Sequence, residues 1–171
     1  MDLNFHIESY NKLFHALQED VKTVDDLIAL LREQMQQVVP LFPLGKFELY
    51  LVAAKSVLDP RGQNECFPIY ESSDGYDESC YEDRVQMDET CAVTFKYYPP
   101  KGQKWTEMHK SMFLFMSRQL FLILERVKLV QLLKCITVTD LLTGALNMRG
   151  IHEIGGKLLK QGKLNEYTCI F

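Results

Sequence analysis

The stretch from Thr106 to about Val138 keeps a helical apolar period and carries two greasy stripes where an ordinary surface helix carries one. Thr106 can cap its start, and Glu107 suits the positive end of the helix dipole. A helix of roughly thirty residues is nearly 50 Å long at about 1.5 Å per residue. Phe113, Met116, Leu120, Ile123, Val127 and Val130 alternate three and four residues apart, the spacing of a coiled-coil seam. Phe115, Leu122, Leu129, Leu133 and Ile136 form a second stripe. One stripe can pack on the chain's own sheet or first helices. The other would stay wet in a monomer, at about 25 cal/mol per Å² of apolar surface. A parallel homodimer removes that cost, and the Phe113–Val130 stripe is the expected dimerisation face. The alternative is that residues 1–39 wrap both faces within one subunit.

The 171 residues leave room for one ordinary domain plus an appendage. With 47% hydrophobic and 25% charged residues the chain can bury a real core. A net charge of −4 and the lack of a basic face argue against nucleic acid as a partner. Cys66, Cys80, Cys91, Cys135 and Cys169 are an odd set without a C-x-x-C pair, which fits a reducing, cytoplasmic setting. The N-terminus has no signal-peptide pattern. Arg118 and Gln119 interrupt the greasiest segment, Met112 to Leu124, so no membrane contact is expected.

Two helices are expected first. One runs from Tyr10 to roughly Glu19. The second is capped by Thr23 with Asp26 three residues on, and Pro40 and Pro43 stop it. The period then changes. Phe47 to Val52 alternates as a central strand, and Cys66 to Glu71 forms a second with Pro68 near an edge or bulge. A short strand near Arg84 to Met87 follows. Thr90 to Tyr98 puts Cys91, Val93, Phe95 and Tyr97 on one face. The fold class is therefore α+β, an antiparallel sheet with flanking helices and a long C-terminal helix.

Asp140-Leu141-Leu142-Thr143-Gly144-Ala145-Leu146-Asn147-Met148-Arg149 follows that helix. It resembles the opening of GGDEF domains, D-x-L-T-G-L-x-N-R-R. Asp140, Leu142, Thr143, Gly144, Asn147 and Arg149 match, while Ala145 and Met148 depart. Asn147 can cap a following helix with Ile151, Ile154 and Leu158 on its apolar face. Thr168 to Phe171 is similar to the start of the family's first strand. The resemblance implies a diguanylate cyclase domain cut near its beginning. The family's metal-binding aspartate, guanine-binding residues and GG(D/E)EF loop are not among these residues, so no cyclase activity is expected of this chain. The parent is expected to be a cyclase or a GGDEF/EAL protein.

The upstream part is similar to a GAF domain in its layout and in Trp105-Thr106-Glu107 opening a helix that carries Leu120, Glu125 and Leu129. A PAS domain is the competing resemblance. The expected organisation is a sensory domain over 1–104, an output helix over 105–139 and a GGDEF fragment over 140–171.

No cofactor is indicated. Asn11-Lys12 does not complete the cyclic-nucleotide signature of some GAF domains, and no cysteine neighbours a histidine as bilin attachment requires. His6, His15, His109 and His152 lack zinc-ligand spacing. Asp74, Asp77, Glu78, Glu82 and Asp83 lack the calcium-loop pattern and read as a solvated acidic loop. Cys80, in that loop, has Arg84 as its one basic neighbour in sequence, so no reactive thiol is indicated. The expected function is a regulatory module of cyclic-di-GMP signalling, homodimeric and open to an unidentified small ligand. A ligand-free dimerisation scaffold, or a PAS-type sensor in the same place, is the alternative.

Overall fold

A computed structural model describes residues 14–15, 21–39, 43–54, 62–140 and 142–166. Helix α1 spans Val24–Val38. Strands β1 (Lys46–Ala53), β2 (Gln63–Glu71), β3 (Tyr81–Asp88) and β4 (Cys91–Tyr98) follow, then helices α2 (Glu107–Val138) and α3 (Met148–Lys160). The expected first helix lies largely outside the described residues, although Phe14 and His15 are helical. Thr168 to Phe171 lie outside them too.

Local chemistry explains the boundaries. The Asp26 amide donates to the Thr23 hydroxyl at 3.1 Å, and the Thr23 amide donates back to the Asp26 carboxylate at 2.9 Å. This is the expected reciprocal box, satisfying two amides that the first turn leaves free. At the start of α2 the His109 amide donates to the Thr106 hydroxyl, and the Thr106 amide donates to His109 Nδ1. The imidazole plays the part usually taken by a carboxylate.

The four strands form one antiparallel sheet in the order β2-β1-β4-β3. β1 is central, as its two-sided pattern predicts. Pro68 sits on the edge strand β2, where the register with β1 shifts between Phe47 and Glu48. A residue without an amide hydrogen belongs at such a bulge. The strand expected near Arg84–Met87 is longer than its alternation suggested, because β4 holds it from Tyr81 to Asp88.

One face of the sheet carries the core. Phe47, Leu49, Leu51, Val93, Phe95 and Tyr97 meet Leu27, Leu31 and Met35 of α1 and Phe113, Met116 and Leu120 of α2. The Tyr97 ring stacks on Phe47 at 4.6 Å and on Phe113 at 4.8 Å between centroids. Its hydroxyl shares a 3.0 Å hydrogen bond with Ser117, so both buried polar groups are satisfied. Trp105 donates from Nε1 to the Pro43 carbonyl at 2.7 Å and lays its ring on Phe113, fixing where α2 begins.

The chain divides into two compact units, Met1–Lys128 and Leu129–Phe171. The division falls inside α2, whereas the sequence suggested boundaries on either side of that helix. The last turn of α2 goes with the C-terminal unit, because Asn147 bonds to the carbonyls of Thr137 and Val138.

Candidate functional site

The structure separates the two stripes of α2. Phe113, Met116, Leu120, Ile123 and Val127 are all buried in the chain's own core, and of the expected dimerisation residues only Val130 is exposed. That expectation is corrected: the stripe given to a partner is the one that packs on the sheet. Both stripes have coiled-coil spacing, so periodicity could not choose between them. The sheet chose, because Phe113 stacks on Tyr97 and Ser117 bonds to it.

The opposite face is solvent-exposed. Phe115, Leu122, Leu129, Leu133 and Ile136 are exposed, and Met108 joins them. Met108, Phe115, Leu122, Leu129 and Ile136 are spaced seven apart. A straight α-helix drifts about 20° per heptad, so a sustained seven-residue repeat keeps one seam only if the helix supercoils about a partner. Arg118, which reaches Asp83 of β3 at 3.5 Å, and Gln119 interrupt the apolar run between Phe115 and Leu122.

In the C-terminal unit Asp140, Thr143, Gly144 and Asn147 come together as a capped turn. The Asp140 carboxylate accepts from the Leu142 and Thr143 amides and from the Thr143 hydroxyl, at 3.2, 2.9 and 2.8 Å. The Thr143 hydroxyl, and after it the backbone amides, hold the Asp140 carboxyl below its ordinary value. Gly144 adopts φ +69°, a conformation that favours glycine, and its amide donates to the Asp140 carbonyl at 2.8 Å. Asn147 does three things. Its Oδ1 accepts from the Gly150 amide at 2.9 Å and caps α3. Its backbone amide donates to the Val138 carbonyl at 2.9 Å. Its Nδ2 donates to the carbonyls of Thr137 and Thr139, at 3.0 and 3.4 Å. The Leu142 and Arg149 side chains are exposed, and of these two residues only the Leu142 backbone amide contributes to the turn. The matching residues are thus doing conformational work, and no reactive group is assembled by them.

Sequence reasoning missed a second cluster, on the sheet face away from the core. Glu48 is buried there, with Oε1 2.9 Å from Lys46 Nζ and Oε2 accepting from the hydroxyls of Tyr50 and Tyr98, both at 3.1 Å. Lys46 also donates to the Tyr76 hydroxyl and lies over the rings of Tyr76 and Tyr98. Lys96 lies over the Tyr50 ring and 3.5 Å from Glu82. Burial pushes the Glu48 carboxyl up, but Lys46 and the two hydroxyls outweigh it, and the group sits below its ordinary value. The hydrogen bond to Glu48 raises Lys46 strongly. Burial, with Glu48 behind it, pushes Tyr98 up to about 12. Alternation along β1 places Lys46, Glu48 and Tyr50 on one face, a legible signal. The contribution of Tyr76, from a loop, was not legible.

Among the described residues no group of three or more His, Cys, Asp or Glu side chains could hold a metal ion, and the acidic loop is no exception. Nor is any helix there long and apolar enough to cross a membrane. No family model, curated protein or solved structure matches this chain.

Proposed function

We propose that the chain is the regulatory, dimer-forming module of a bacterial cyclic-di-GMP signalling protein, with α2 leading from a GAF-type sensory domain into the start of a GGDEF domain. One observation carries this reading. A helix with one face buried in its own core and an exposed apolar heptad on the other ends directly in the Asp140–Asn147 turn. The α+β layout supports a GAF-type domain as the resemblance implies, and a PAS-type sensor has the same support. In this reading the partner is a second copy, and the seam is Phe115, Leu122, Leu129, Leu133 and Ile136. The dimer brings two catalytic domains together, as a reaction between two GTP molecules requires.

A ligand would act by binding two arrangements of the paired helices unequally. The outer sheet face around Lys46, Glu48 and Tyr98 is the place for it. One feature favours the second reading, a ligand-free dimerisation scaffold. Glu48, Lys46 and the tyrosine hydroxyls already satisfy one another, and among the described residues the one buried side-chain polar atom without a hydrogen bond is Asp83 Oδ2 on β3. Native mass spectrometry separates the readings. A dimer retaining a small molecule supports a sensor, a bare dimer supports a scaffold, and a monomer contradicts both.

A further inference from the structure

The turn between α2 and α3 has the geometry of a clamp. The last carbonyls of a helix have no partner within it and normally turn to water. Here the Val138 carbonyl accepts from the Asn147 backbone amide, and the Thr137 and Thr139 carbonyls accept from Asn147 Nδ2. The same side chain caps α3 through Oδ1. One asparagine therefore closes the end of one helix and the beginning of the next.

Two further contacts remove the remaining freedom. The Asp140 amide donates to the Ala145 carbonyl at 2.7 Å, and together with the Asn147–Val138 bond this pairs Thr139 with Leu146 as an antiparallel bridge. Gly150, in the first turn of α3, is buried with its α-carbon against the Val138 carbonyl. A Cβ added there would collide with that carbonyl oxygen and lie 2.9 Å from its carbon. Only glycine permits so close an approach. Leu146 lies against the same position.

We infer that this turn is a rigid coupler in which Asn147 and Gly150 lock the last turn of α2 to the first turn of α3, so that the two helix ends move as one body. A flexible hinge would absorb a rotation of α2, whereas a clamp delivers it to α3 undiminished. The use made of that rotation rests on the signalling role proposed above, but the rigidity does not, and the two fail separately.

Residual dipolar couplings of the ¹⁵N-labelled full chain test it, using amides of residues 130–137 and 148–160. In the wild type one alignment tensor should fit both segments. The deciding variant is Asn147→Asp. Aspartate caps a helix as well as asparagine does, so α3 keeps its start, but the two Nδ2 hydrogen bonds to α2 are gone. The two segments should then need separate tensors, and exchange of the Asp140 and Asn147-position amides should rise roughly tenfold, the loss of about one hydrogen bond's net contribution. Unchanged helicity of α3, followed by its Cα chemical shifts, separates uncoupling from unfolding. Two tensors in the wild type, or one shared tensor in the variant, would overturn the inference.

Discussion

Leu120 and Leu122 stand two residues apart on α2 and face opposite ways, Leu120 0% exposed beneath the sheet and Leu122 54% exposed to water. The pair gives a contrast within a single turn. Leu120→Ala leaves a cavity in the shared core and should cost about 2–5 kcal/mol in urea unfolding. Leu122→Ala removes a side chain with no such enclosure, and under conditions where the chain is monomeric should cost less than about 1 kcal/mol. Equal losses at the two positions would contradict the assignment of faces.

The Glu48 cluster makes a prediction about pH. Its carboxyl sits below its ordinary value of 4.5, so the stability it contributes is present above that value and lost as pH falls through the lower folded value. Tyr98 runs the other way. Its folded value is raised to about 12, so its share is present below its ordinary value of 10.0 and is lost as pH rises through about 12. Glu48→Gln should lower stability at pH 7 by about 1.5–3 kcal/mol, the range for hydrogen bonds to a charged group. The gap should narrow as pH falls below 4.5 and close once the carboxyl is protonated in the folded state as well. A gap that stays constant down to the pH at which NMR shows Glu48 protonated would rule out the ionised carboxylate as its source.

Much of the fold was legible because each of its elements rests on a local rule. The Thr23–Asp26 box, the two-sided alternation of Phe47 to Val52 and the proline at an edge bulge each have a short-range cause. The assignment of stripes on α2 was not legible in this way. Phe113 and Phe115 are equally apolar and equally well spaced, and what separates them is a long-range event, the stacking of Phe113 on Tyr97. Lys46 reaching Tyr76 from another segment is of the same kind. In the C-terminal unit the motif residues Asp140, Thr143, Gly144 and Asn147 were singled out by resemblance, and their bonds explain why those residue types suit the turn.

A fusion tests the proposed output. Residues 1–149 placed ahead of an intact diguanylate cyclase domain should support cyclic-di-GMP formation when the exposed seam is whole. Leu122→Glu with Leu129→Glu places two charges in that seam and should lower product formation at least tenfold at low micromolar protein. Leu114→Glu, at an exposed position off the heptad, should change it little. Equal activity in all three would remove the seam from the account.

The central claim, that the exposed heptad of α2 is a seam between two copies, is tested most directly by sedimentation equilibrium of the chain. The wild type should show about twice the 19.9 kDa chain mass at micromolar concentration. The Leu122→Glu, Leu129→Glu variant should sediment at the single-chain mass with an unchanged far-ultraviolet circular dichroism spectrum. A wild-type chain that stays at 19.9 kDa up to millimolar concentration would contradict the account.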